Sequence, residues 1–358
     1  MRFLTDPLEE WAIHCHRKGA TISLDSSGAP TPDPDVFPLK VNDIGDEAEA
    51  EAELREELCK AYGVDDDMIA LTMGAQHADF LFFLTHLGAR DTAVVESPTF
   101  MPIRRQAEAI SRVVSLERSP AKAYVPDMSD LGYNVRRGAK VIALTNLHNP
   151  SGAMLDDEVL SGIVDEAERT GALVLVDEVF REMSYGPVPK GAYQLGESGV
   201  SVSSVTKLNG LRGLRVGWLL GPPPVAMAVE AARLYTSYRL PVWSCHYAAQ
   251  AVRRREWFRE RALKCARENL PTLEAWLRTE TRVSCHSPKG ALMAHVVLPQ
   301  GIDDLELSER LLDRGVAVGP GLYWGAAGTI RLTFSCARPQ LESGLGHVSE
   351  VLDLMTKS

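Results

Sequence analysis

The chain has 358 residues, 45% of them hydrophobic and 24% charged, an ordinary globular composition with enough apolar material for a large core in two domains. A net charge of −10 without a dense basic run argues against a nucleic-acid partner, and no apolar stretch is long enough to span a membrane. Six cysteines lie scattered without C-x-x-C spacing and the N-terminus has no signal-peptide core, so the expectation is a cytoplasmic protein with reduced thiols.

Asp6 and Pro7 mark the first helix, one as N-cap and the other in the first turn. Leu8, Trp11, Ala12 and Cys15 give it one apolar stripe. His14, Cys15 and His16 have metal-ligand chemistry, but neighbours on a helix diverge, so no metal site is expected. Ser26–Pro34 is extended and turn-rich; Gly28 is there as a turn glycine or as a substrate contact, with nothing local to decide. Glu47–Tyr62 reads as a solvated helix stopped by Gly63.

From Ile69 the pattern becomes strand, turn, helix, repeated. Ile69–Thr72 is a short strand, Met73 to Gln76 a turn, and Ala78–Leu87 an apolar helix. A glycine turn opening a helix presents backbone N–H groups to an anion, which puts Gly74, Ala75 and Gln76 on the candidate list. Ala93–Glu96 is a strand leading to Phe100 on a loop. Val141–Thr145 leads to a turn holding Asn149, Pro150 and Gly152, with a helix at Asp156–Arg169. Ala172–Val176 is apolar throughout, as strands covered on both faces are, and it ends in Asp177 and Glu178. A carboxylate at a buried strand end is costly unless it meets a positive partner.

Val200–Ser204 is the next strand. It delivers Lys207, with Ser204 three residues before it and Arg215 eight after, among Gly210, Gly213 and Gly217. A hydroxyl, a guanidinium and open backbone suit a phosphate; an amine beside them suits a phosphate-bearing aldehyde, pyridoxal phosphate (PLP). Val216–Leu220 follows as a strand, then helices at Val225–Arg239 and Ala251–Asn269. Beyond Leu270 the strands Arg282–Ser287, Ala291–Leu298, Val316–Val318 and Thr329–Phe334 and a helix at Asp303–Arg314 predict a smaller α+β domain. Arg331 alternates with apolar neighbours mid-strand, as an edge residue or a buried anion ligand. The expected architecture is α/β: a large domain at 42–270 with a mostly parallel sheet, and a small domain from 1–41 and 271–358. Gly74, Asn149, Asp177 and Lys207 then fall at strand ends along one sheet edge, where such sheets bind ligands. A dinucleotide fold would need G-x-G-x-x-G after an early strand, and the chain has none.

These motifs together resemble the class I/II aminotransferases, fold type I PLP-dependent transferases, over about residues 24–342. H-N-P-S-G at 148–152 resembles N-P-x-G, D-E-V-F at 177–180 resembles D-E-x-Y, and Ser204, Lys207 and Arg215 repeat the family's S-x-x-K…R spacing. The resemblance implies Lys207 as the Schiff-base lysine and Asp177 as partner of the ring nitrogen. It implies Asn149 as donor to the phenolate oxygen, with Ser204, Arg215 and Gly74-Ala75-Gln76 on the phosphate. Phe100 would stack on the ring and Arg331 would fork the substrate carboxylate, with Asn149 and Gly28 beside it. It further implies an amino-acid substrate and a homodimer.

Two departures stand out: Phe180 replaces the family's usual tyrosine, and Val41–Gly45 lacks the tyrosine many relatives send to the neighbouring subunit. L-E-E-W near the start, S-S-G, Phe180 and the tail F-S-C-A-R-P are similar to capreomycidine synthase-type members, which cyclise a hydroxylated arginine. The expected activity is therefore amino transfer between an L-amino acid and a 2-oxo acid, with cyclisation or elimination as the alternative. A PLP-responsive transcription factor would need a DNA-binding domain, for which one helix at Pro7–Arg17 is too little.

Overall fold

The computed structural model describes residues 5–36 and 45–357. The domain boundary expected at 41/42, and all of the Val41–Gly45 segment except Gly45, lie outside them. In chain order the strands are β1 (Ile22–Ser23), β2 (Ile69–Thr72), β3 (Thr92–Ser97), β4 (Arg112–Glu117), β5 (Val141–Thr145), β6 (Leu173–Asp177), β7 (Gly199–Ser204) and β8 (Gly217–Leu220), then β9 (Ser284–Cys285), β10 (Met293–Val297), β11 (Val316–Ala317), β12 (Gly319–Pro320) and β13 (Thr329–Thr333). The helices are α1 (Pro7–Arg17), α2 (Glu47–Tyr62), α3 (Ala75–His86), α4 (Met101–Ile110), α5 (Met128–Arg136), α6 (Asp157–Thr170), α7 (Pro223–Arg233), α8 (Val242–Arg253), α9 (Arg255–Thr279), α10 (Asp304–Leu312) and α11 (Arg338–Thr356). Among the described residues none is long and apolar enough to cross a membrane.

Seven strands form the large sheet in the order β2-β8-β7-β6-β5-β3-β4. All run parallel except β8, which is antiparallel to both neighbours. The continuous apolar runs follow from burial on both faces. In β5, Val141 and Ala143 join one apolar cluster with Phe82 of α3 and Val229 of α7, while Ile142 and Leu144 join the other with Leu131 of α5 and Ile163 of α6. A second sheet, β12-β13-β10-β9, is antiparallel, and β1 pairs β11 beside it. The first cluster continues through Leu292, Ile330 and Leu345, so one core runs under both sheets. The expected boundary at 270/271 falls inside α9, which carries Pro271.

Three local expectations are corrected. The helix expected over Val225–Arg239 ends at Arg233, whose carbonyl collects the N–H groups of Thr236, Ser237 and Tyr238. The helix expected over Ala251–Asn269 is two helices meeting at Arg254. Helix α2 is only half solvated: Ala50, Glu51, Leu54 and Leu58 are buried, and Glu51 joins Arg233 and Arg239.

Candidate active site

Because β2, β5, β6 and β7 are parallel, their C-terminal ends share one edge. There a cavity of about 600 Å³ opens, lined by Ala75, Gln76, Phe100, Asn149, Asp177, Phe180, Ser204, Lys207, Arg215 and Arg331. The two remaining candidates, Gly28 and Gly74, adjoin it. A Cβ on Gly28 would lie 3.6 Å from Lys207 Cα, and one on Gly74 would lie 2.7 Å from Arg215 Nη2. Gly74 has φ +88° and caps α3, so the first N–H groups of that helix, at Ala75 and Gln76, point out at its open end. Gly217 of β8 lets this turn seat: a Cβ there would stand 2.6 Å from the Ala75 nitrogen.

Arg215 has φ +52°, uncommon for a residue with a side chain, and its Nη2 reaches Met73 O at 3.4 Å. Ser204, at the end of β7, is buried and lines the same cavity. Lys207 Nζ donates to Ser27 Oγ at 3.2 Å and lies 5.6 Å from the centre of the Phe180 ring. Burial, then the guanidiniums of Arg331 and Arg212, push the Lys207 amine down to about 8. Asp177 is buried at the end of β6, its Oδ1 accepting from Val179 N–H at 3.0 Å. Burial raises its carboxyl above the ordinary range, and that N–H and Lys207 offset part of the rise.

Arg331 is a buried residue facing the cavity, which settles the sequence's open alternative against the solvent edge. Its Nη1 donates to Asn149 Oδ1 at 3.1 Å, its Nη2 to Asp25 O at 2.5 Å, and its Nε has no partner. Trp324 lies under the guanidinium, 4.4 Å from carbon to ring centre, and its Nε1 also donates to Asn149 Oδ1, at 3.2 Å. Asn149 therefore spends its oxygen on protein donors and keeps its amide nitrogen for the cavity. Thr145 Oγ1 accepts from Asn149 N–H at 3.0 Å and itself donates to buried Glu96 at 2.6 Å.

Four parts of the site are absent from the sequence expectations: Trp324, Ser27, Arg212 and the wall formed by α1. Arg212, three residues before Arg215, lines the same cavity and donates to Ser26 Oγ. Leu8, Glu9, Trp11 and His16 of α1 close one side, near Asp25. The apolar stripe of α1 was legible, but nothing in it says what the helix covers. Of the H-C-H run, His14 meets Glu309 at 3.2 Å while Cys15 is buried in the core. All six cysteines are free thiols.

The residues present fit PLP in their chemistry: an amine (Lys207) and a buried carboxyl (Asp177) share one cavity with a hydroxyl (Ser204), a guanidinium (Arg215) and an open helix N-terminus, where a Cβ at position 74 would run into Arg215. Comparison with known proteins agrees. The family described as aminotransferase class I and II matches residues 47–348. Capreomycidine synthase of Streptomyces vinaceus is 29% identical over 290 residues, covering 80% of this chain and 74% of that one. The aspartate/prephenate aminotransferase of Thermus thermophilus is 27% identical over 312 residues, covering 84% and 81%. Among solved structures, a PLP-dependent aminotransferase from Streptococcus suis superposes with a TM-score of 0.88 at 24% identity over 99% of both chains. The Thermus thermophilus aspartate aminotransferase with maleate gives 0.85 at 22% identity, covering 98% of this chain and 100% of that one. These two likenesses establish the fold, the fold type I arrangement.

Proposed function

We propose, from the premise that the chain belongs to the class I and II aminotransferase family of PLP enzymes, that it moves an amino group between an L-amino acid and a 2-oxo acid. The observation that carries this is the convergence of Lys207, Asp177 and the Asn149–Arg331 pair in one cavity. Lys207 would hold the cofactor's aldehyde carbon, Asp177 its ring nitrogen, Asn149 its phenolate oxygen and Phe100 its ring face. Ser204, Arg215 and the N–H groups of Ala75 and Gln76 would hold its phosphate. When bound, the cofactor supplies the electron sink that allows a Cα–H bond of an amino acid to ionise.

The chain's own residues do the rest. Arg331 presents a planar fork to the α-carboxylate, held in plane by Trp324 below it and by Asn149 and the Asp25 carbonyl at its ends. Gly28 brings backbone close to Lys207 and Arg212. Fixing that carboxylate fixes the direction of the Cα–H bond, an orientation worth several kcal/mol, roughly, of barrier. Lys207 Nζ, with its proton affinity lowered to about 8, takes and returns the Cα proton near neutral pH. Asp177 would present its carboxylate to the cofactor's ring nitrogen and so favour the protonated form of that nitrogen.

A second reading is cyclisation or elimination on an arginine-like amino acid. Phe180, which has no hydroxyl, and Glu9 and Asp25 on the cavity wall favour it, since two carboxylates suit a cationic side chain. For the assembly we propose a cytoplasmic homodimer; Leu234, Tyr235 and Tyr238, exposed together after α7, are surface that a second copy would cover. The test is to supply the purified, PLP-loaded protein with amino acids and 2-oxo acids in pairs. Amino transfer to an acceptor is the expected result. Conversion of an arginine-type amino acid that needs no acceptor would overturn the first reading in favour of the second.

A further inference from the structure

Asp79 is the most anomalous side chain near this site. It lies one turn into α3, on the buried face with Ala75, Ala78, Phe82 and Phe83. It is fully buried, and neither of its carboxyl oxygens has a hydrogen-bond partner. Helix α3 carries the phosphate cradle at its open end and packs on β6, β7 and β8, the strands that bring Asp177, Ser204 and Gly217 to the site. Nothing in the mechanism above uses Asp79, and apolar packing alone would be better served by leucine. An unpaired carboxylate is among the costliest groups to bury, so a residue of this kind is retained for a role or neutralised by a proton.

We propose that Asp79 is a positioning residue for the cofactor's ring nitrogen: its carboxyl, without a partner in the cofactor-free chain, keeps its proton and gives it as a hydrogen bond to Asp177 when the cofactor is bound, holding that carboxylate ionised and aimed at the ring. This rests on the reading of Asp177 given above. The electrostatics are consistent with it. Burial raises the Asp79 carboxyl well above the usual range, and the charge of Asp177 raises it further. Around Asp177, Lys207 acts in the opposite sense and Glu96 in the same sense. Two neighbouring buried carboxyls keep one proton between them, and the one farther from a cation is the one that keeps it. With a protonated ring nitrogen beside Asp177, that one is Asp79.

The variants that test this are D79L, which removes the donor, and D79N, whose amide replaces it. Each is loaded with PLP and, separately, with its 1-deaza analogue, in which a carbon replaces the ring nitrogen; dissociation constants are read from cofactor absorbance. Urea denaturation of the cofactor-free chains is run in parallel. The expected result is that D79L binds PLP about tenfold or more weakly, a lost hydrogen bond to a charged group, while its affinity for the analogue stays within about twofold. D79N should keep wild-type affinity for both. Cofactor-free D79L should be at least as stable as wild type, because an unpaired acid leaves the core. Equal losses for both cofactors in D79L would assign Asp79 to packing and overturn the inference. So would a D79L that discriminates between them as wild type does. A wild type that holds both equally well would overturn the ring-nitrogen reading of Asp177, and this inference with it.

Discussion

Arg331 concentrates the chemistry of the site into one side chain. It is buried, its fork has one nitrogen without a partner, and burial lowers its proton affinity to about 10 without discharging it. Lysine at this position would keep a charge but lose the planar two-point contact and the stack on Trp324. R331K should therefore lower kcat/KM about 10²-fold, a loss of roughly 2–3 kcal/mol, in steady-state kinetics with any amino acid turned over by the wild type. An unchanged kcat/KM would place the carboxylate elsewhere. Phe180 gives a second prediction at this scale. A tyrosine hydroxyl there would donate to the phenolate oxygen of bound cofactor and stabilise its unprotonated form. In F180Y, a pH titration of the visible absorbance of lysine-bound cofactor should move down by about one pH unit or more. A pKa that stays put or rises contradicts the assigned position. At this scale the motifs were legible because each chemical group sits next to a glycine, proline or strand end. Trp324 and Ser27 were not, since their partners Asn149 and Lys207 lie 175 and 180 residues away and no local pattern records such pairs.

Among the elements, the predominantly apolar runs from Ile69 to Leu220 marked these strands of the large sheet to within a residue or two, because burial on both faces favours apolar residues along their whole length. The exception is β4, whose sequence R-V-V-S-L-E buries only Leu116. It is an edge strand with most of its side chains exposed or half-buried, unlike β2 at the opposite edge, which is buried throughout, so it has no apolar pattern to read. Helix α2 failed differently. Its alternating Ala and Glu suggested solvent, yet Glu51 is buried and accepts from Arg233 at 2.9 Å, Arg239 at 2.7 Å and Leu240 N–H at 2.9 Å. This cluster ties α2 to the end of α7 and the turn that follows. Removing the carboxylate leaves buried Arg233 short of a partner, with Glu230 its remaining acid. E51A should cost about 3–5 kcal/mol in urea denaturation. A loss below about 1 kcal/mol would mean the cluster behaves as a surface pair does.

For the whole molecule, the cofactor site is a place where stability has been given up. In the cofactor-free chain, burial raises the Asp177 carboxyl above its unfolded value. Its contribution is therefore fully present below the ordinary carboxylate range. As pH rises through the raised value, the folded chain holds a proton that the unfolded chain has released, and stability falls. D177N should flatten that fall from about pH 4 upward, by at most one proton's slope, about 1.4 kcal/mol per pH unit. A stability profile of cofactor-free D177N parallel to wild type would show that Asp177 titrates alike in both states. The division into a large and a small sheet was legible in the change of pattern after Leu270. How the first helix closes the cavity was not, because α1 reaches the site only through tertiary packing, with Trp11 Nε1 bonded to Val318 O at 2.7 Å. That helix brings Glu9 to the wall, and with Asp25 it is the reason the reaction needs a direct measurement. The PLP-loaded protein should be mixed with single amino acids and no 2-oxo acid, while the cofactor spectrum and the products are followed together. The account predicts one equivalent of 2-oxo acid and one of the cofactor's amino form per site, then no further change, and no reaction at all in K207A. Continued product formation without an acceptor would contradict it.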